Sequence, residues 1–232
     1  MSVSVRGRKG PRVSTPRRAA GKPAVGSQLL SDLAYEAIRD KLVHLDIAPG
    51  DAIDEAQLAA ELGLGRTPVR EAIKRLAYQK LVVVYPRSGS YAAQVDVADL
   101  ASLCDIRERL EGLAAERAAS EARYEERQEL SRLLDELEGD CPPSRLLELD
   151  TVAHRAVHRL SHNEYLFDTL TQTLDLSLRI WNLARERLPH LEHHVHGQVA
   201  ILKAILDRDP KRARELAERH VRDFEDEVKE MF

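Results

Sequence analysis

Only two of the 232 residues are cysteine, and Cys104 and Cys141 stand too far apart in sequence to outline a disulfide framework or a thiolate metal site. No apolar run reaches the roughly 20 residues that a membrane-spanning helix needs. Nor does any apolar stretch near the start have the form of a secretory signal. These absences lead to the expectation of a soluble protein that works in a reducing cytoplasm, without a membrane partner. Aromatic residues make up only 4 % of the chain, whereas Ala, Leu, Arg and Glu abound, a balance that favours helix over sheet. Two catalytic signatures are missing as well. The adjacent His-Asp pair of helical phosphohydrolases occurs nowhere, and no histidine has a glutamate three residues before it, as ferritin-like di-metal sites require. A helical metalloenzyme is therefore the weaker alternative, and the chain is expected not to be an enzyme.

What is present is unevenly charged. The formal net charge of −4 divides into +7 over residues 1–27, −1 over 28–94 and −10 over 95–232. A basic tail, a near-neutral middle and an acidic body imply three different jobs. Residues 1–27, rich in Ser, Gly, Pro and Arg, are assigned as a disordered basic tail. From Gln28, Leu29, Leu30, Leu33, Ala37, Ile38, Leu42 and Leu45 recur at helical spacing up to the Pro49-Gly50 turn. A short helix follows in DEAQLAAEL, closed by Gly63.

The next stretch, GRTPVREAIKRL at 65–76, predicts a third helix, with Thr67 as its cap and Pro68 in its first turn. Val69, Ile73 and Leu76 mark its buried face; Arg66, Arg70 and Lys74, four apart, form a basic stripe opposite. After Lys80 the period changes, and LVVVYP and SYAAQV flank RSG as two strands joined by a turn. Residues 28–94 thus read as a winged helix-turn-helix with a small two-stranded wing, whose third helix enters a DNA major groove. Arg66, Arg70 and Lys74 supply groups for guanine edges or phosphates, Thr67 a hydroxyl for phosphate, and Arg87 beside Gly89 a wing tip able to approach the duplex. After a linker at 95–98, residues 99–232 are helical throughout, so the expected fold is mostly α.

Eight of the nine histidines fall between 154 and 220. Asp150 and His154 are one helical turn apart and can meet at one point, and His158 continues their stripe. Carboxylate with imidazole suits Zn, Mn or Ni. His220 lies on the last helix, and HHVHGQ opens the one before it. Trp181 is assigned to the core.

EAQLAAELGLGRTPVREAIKRLAYQKLVVVYPRSGSY resembles the DNA-binding domain of GntR-type bacterial transcription regulators, with RTPVREA as its most specific run. That resemblance implies a bacterial cytoplasmic protein and operator binding as a homodimer through Arg66, Thr67, Arg70 and Gly89. Gly65 departs from the usual serine at the helix entry, and Lys80 stands where a glycine usually ends the helix. RERLEGLAAERAA, DTVAHRAVHRLSHN and QVAILKAILDRDPKRARELAERH resemble the FCD subgroup, whose effector domain is an all-α bundle around a cavity. In metal-binding members an Asp and His one turn apart join single histidines from two later helices. Asp150, His154 and His220 match three positions; at the fourth stands Gln198, with His194 one turn earlier as a substitute. A ligand carboxylate commonly completes such a site, and Arg107, paired in sequence with Glu111, and Arg179 are the candidates to hold an organic anion. The resemblance implies a repressor released by that effector, or alternatively a metal-free sensor of acyl-CoA.

Overall fold

The computed structural model describes residues 25–140, 142–184 and 191–230. The basic tail up to residue 24 and Cys141 lie outside the described residues, as do the side chains of His190, His193 and His194.

Helix α1 spans Val25–Val43, beginning three residues before Gln28, where the apolar period starts, and ending before Leu45. Its inner face, Ala34, Ile38 and Leu42, packs against Val69, Ile73 and Leu76 of α3 (Arg66–Tyr78) to form the first core, with Leu58 of α2 (Glu55–Glu61) closing one side. Leu29, Leu30 and Leu33 have the right spacing for burial, yet remain solvent-exposed at the start of α1. Asp54 caps α2, its carboxylate accepting from the backbone N–H groups of Ala56 and Gln57.

Helix α2 ends on Gly63 in the left-handed region (φ +64°), with Leu64 N bonded to Ala59 O and Gly63 N to Ala60 O. The end of α3 has the same closure: Leu81 N bonds Leu76 O, Lys80 N bonds Ala77 O, and Lys80 takes φ +63°. This pair of bonds is the Schellman arrangement, in which glycine usually occupies the left-handed position. At the other end of α3 the expected cap is corrected. Gly65 is the cap residue, with no side-chain bond, and Thr67 sits inside the first turn.

The wing also differs from expectation. Strand β2 (Val82–Tyr85) and β3 (Gly89–Ala92) pair antiparallel as predicted, but β1 (Ala52–Ile53) adds a third strand in the order β1-β3-β2. Two residues are too few for a period to show, and the Pro49-Gly50 turn hides them. Backbone bonds from Gly50 N to Ala92 O and from Ala92 N to Asp51 O hold the added strand.

The second core is helical. Helices α4 (Asp99–Glu121) and α9 (Pro210–Lys229) form a tight pair with α8 (Leu191–Leu206) against it. Small residues make the approach possible: Ala114, Ala115 and Ala118 of α4 and Ala213 and Ala217 of α9 are buried, and a Cβ on Gly112 would lie 2.7 Å from Glu218 Cγ. Helices α5 (Tyr124–Glu138), α6 (Pro143–Leu160) and α7 (Glu164–Ala184) complete the bundle. Trp181 of α7 and Phe224 of α9 pack with tilted rings, centroids 5.5 Å apart, within a smaller cluster with Cys104. Helix α7 is also the seam between the domains, since Leu176 packs against the first core. No helix among the described residues is long and apolar enough to cross a membrane.

Candidate DNA-reading helix and buried histidine cluster

On α3 the apolar residues Val69, Ile73 and Leu76 are buried, which turns Arg66, Arg70 and Lys74 outward. Arg66 and Thr67 are exposed in the first turn, where unpaired backbone N–H groups gather. Arg70 is tethered but not hidden: its Nε donates to Glu55 Oε2 at 2.6 Å while 60 % of the side chain remains exposed. Across the wing turn, Arg87 (φ +67°) and Gly89 (φ +108°) are both exposed and left-handed. The six residues selected from sequence therefore share an exposed position on the helix or at the wing tip.

Inside the bundle the second group of selected residues comes together. Asp150, His154 and His220 are buried, and one donor atom from each lies within 4.8 Å of the others. His220 Nε2 is 3.3 Å from His154 Nε2, and their rings stack with centroids 5.2 Å apart. Two imidazole nitrogens at this distance must share either a proton or an ion. His154 Nε2 is also 3.7 Å from Asp150 Oδ2. Helix α8 comes close enough for Gly197 to matter, because a Cβ there would lie 2.6 Å from His220 Nδ1.

Gln198, the next residue, is 1 % exposed, and neither its Oε1 nor its Nε2 has a hydrogen-bond partner. It lines a small void with His154 and His220. A buried primary amide with both ends unmet is costly, and its carbonyl oxygen is a ligand atom. Three ionisable donors and one orphaned amide fit a borderline divalent ion. His194 lies outside the described side chains, and His196 is exposed.

Glu111 ties this cluster to Arg107. Its Oε1 accepts from Arg107 Nη2 at 3.0 Å and its Oε2 meets His158 Nε2 at 2.8 Å, with His154 Nδ1 at 3.8 Å. Burial alone would raise the Glu111 carboxyl, but His158, His154 and Arg107 outweigh it and hold the pKa well below the usual carboxylate value. Burial also lowers the pKa of His158, a shift only partly offset by Glu111. His158 thus continues the stripe expected of it, but as the partner of Glu111 at these distances.

A cavity of about 140 Å³ opens beside the cluster. Arg107, Glu148, Asp150 and His154 are among its polar lining, and Trp181 is both core and lining. Val43, at the end of α1, and His44 just after it also line it. Sequence reasoning did not select Asn182, Ser177 or Thr151, which also line it, and no local pattern distinguishes them. Arg179 does not reach this space. It is buried on another side of α7, donating from Nη2 to Ala93 O at 2.6 Å, and it lines a separate cleft at the domain seam.

An exposed basic helix with a wing, joined to a helical bundle with a cavity beside its buried histidines, defines a two-domain DNA-binding transcription regulator. Residues 30–91 match the family described as bacterial regulatory proteins, gntR family, and residues 102–223 match the FCD domain. The chain belongs to the GntR family and carries its FCD domain.

An HTH-type transcriptional regulator in an unstable DNA locus of Streptomyces ambofaciens is 30 % identical over 84 % of this chain and 83 % of its own length. The HTH-type transcriptional repressor RspR of Escherichia coli K12 is 24 % identical over 88 % and 91 %. Among solved structures, E. coli McbR/YncC superposes with a TM-score of 0.74 at 21 % identity, covering 87 % of this chain and 97 % of that one. A GntR regulator from Rhodococcus sp. RHA1 gives a TM-score of 0.66 at 19 % identity, covering 87 % and 98 %.

Proposed function

We propose that the protein is a homodimeric repressor whose operator affinity falls when a small organic anion enters the cavity beside the histidine cluster. Arg66, Thr67, Arg70 and Lys74 contact the major groove and its phosphates, and Arg87 with Gly89 brings the wing to the backbone. Asp150, His154 and His220, with the Gln198 oxygen, hold a divalent ion of the Zn, Mn or Ni class, which would supply a Lewis-acid anchor for a ligand carboxylate. Arg107 supplies the second, purely electrostatic anchor. Repression as the sense of control draws support from the relative that bears that name.

The observation that carries this reading is the composition of the cavity wall: Arg107, Asp150 and His154 of the bundle together with Val43 and His44 of the DNA-binding domain. A ligand there touches both domains, and so has the differential contact that a shift of equilibrium requires. At about 140 Å³ the space suits a small acid and is too small for an acyl chain with its nucleotide, which disfavours the acyl-CoA alternative.

A thermal-shift screen of small carboxylates, followed by gel-shift with the native promoter, tests the proposal. The acid that raises Tm most should also weaken operator retention, and should do neither in Arg107→Ala. A stabilising acid with no effect on retention would remove the allosteric reading.

A further inference from the structure

We infer that the cleft at the domain seam is a second ligand site, built for a monocarboxylate with an apolar body and separate from the cavity beside the histidines. Arg179 forms its inner wall. The side chain is 1 % exposed, its Nε has no partner, and its hydrogen bond to Ala93 O uses only one corner of the guanidinium. Among the described residues no carboxylate lies within ion-pair distance of it, and burial alone drags its pKa downward. A buried cation without a counter-charge is costly, and an anion that satisfied its free edge would be bound strongly.

The space beside it, about 230 Å³, exceeds the ~150 Å³ that admits a benzene ring. Leu103, Leu176 and Ile180 make one side apolar, which suits a hydrocarbon body. Asp96 and Asp99, both exposed, also line the cleft, and their repulsion weighs more heavily on phosphate and dicarboxylates than on a single carboxylate. Lys80, from the corner that ends α3, faces the same opening. An occupant would therefore touch the DNA-binding domain, the linker and α7 together.

Methyl labelling separates the two sites. Ile106 and Ile180 line the cleft and no isoleucine lines the first cavity, whereas Leu174 and Leu178 line only the first. In the full-length protein titrated with benzoate, the Ile106 and Ile180 methyl signals should shift. Benzyl alcohol, of the same size without the charge, should bind at least tenfold more weakly, as should inorganic phosphate. Arg179→Gln, which keeps a polar group on that wall but removes the charge, should abolish the shift. Ser102→Trp, at the exposed rim, should block it without disturbing a buried group, so a folding defect in the first variant leaves the test intact. Unmoved isoleucine methyls, shifts that survive both variants, or equal binding of the alcohol or phosphate would overturn the inference. Movement of Leu174 and Leu178 alone would also overturn it, while leaving the first cavity's reading standing.

Discussion

Asn182 of α7 donates its side-chain amide to the carbonyl oxygen of Val43, at the end of α1, at a distance of 2.8 Å. Both residues also line the cavity beside the histidines. One hydrogen bond of this kind contributes roughly 0.5–1.5 kcal/mol, comparable with the lower part of the ~1–3 kcal/mol that typically couples two sites. The bond is thus of the right size to be a relay and too small to lock the domains together. Asn182→Leu should cost about 1–2 kcal/mol in urea unfolding. It should also shrink the loss of operator retention caused by the stabilising carboxylate, while ligand-free retention stays near wild type. A variant with unchanged stability and an undiminished ligand response would show that the contact carries no coupling.

The α3 stripe yields a prediction that separates base reading from phosphate contact. Arg70→Ala should abolish specific operator retention in a gel-shift, with helical content unchanged by circular dichroism. Lys74→Ala should weaken binding to all sequences alike and reduce the slope of log affinity against log salt by about 1. Because Glu55 holds Arg70 at 2.6 Å in the free protein, Glu55→Gln should release the guanidinium and strengthen operator binding. Undiminished retention by Arg70→Ala would mean that α3 is not the reading helix.

The corner after α3 shows how far the sequence could be read. The glycine that closes α2 is a local signal and appears where expected. Lys80 stands out only as a departure from the family pattern, and coordinates are needed to show that it accepts the glycine conformation unchanged. Asp150 and His154 declare themselves by a four-residue spacing, and the buried face of α3 by its period. The seam has no such signature: Asn182 with Val43 and Arg179 with Ala93 join residues 139 and 86 positions apart, and no local pattern encodes a partner so distant. Periodicity also misleads where packing stops, as at Leu29, Leu30 and Leu33, which repeat like core residues and face outward. At the corner itself, a lysine with φ +63° bears a steric strain that glycine lacks. Lys80→Gly should stabilise the protein by about 0.5–1 kcal/mol, the strain relieved less the extra chain entropy of glycine. An equilibrium denaturation midpoint equal to or below wild type would show the lysine to be compensated by its surroundings.

Gln198 offers a gain-of-affinity test. Its amide is buried with both ends unmet beside His154 and His220. An imidazole there would be a stronger donor to a borderline metal than an amide oxygen. Gln198→His should tighten zinc binding by at least tenfold in a chelator competition, and His154→Ala should lower metal content and thermal stability together. Equal zinc affinity in Gln198→His and wild type would place Gln198 outside the coordination sphere.

Asp175 should make the stability of the seam depend on pH. It is fully buried on α7, its Oδ1 paired with Arg155 at 2.7 Å and its Oδ2 unmet. Burial pushes its carboxyl from the ordinary 3.8 up to about 6, outweighing the attraction of Arg155 and of Arg39 on α1. Between these two values the folded protein holds a proton that the unfolded chain has lost, so this group's contribution to stability falls as pH rises through that window. The full excursion corresponds to about 3 kcal/mol at ~1.4 kcal/mol per pH unit. Asp175→Asn is neutral throughout, so its stability relative to wild type should rise by that order between pH 4 and pH 7, then level off. Parallel stability profiles for the two proteins, measured by urea unfolding at each pH, would show that the ion pair with Arg155 holds Asp175 ionised despite its burial.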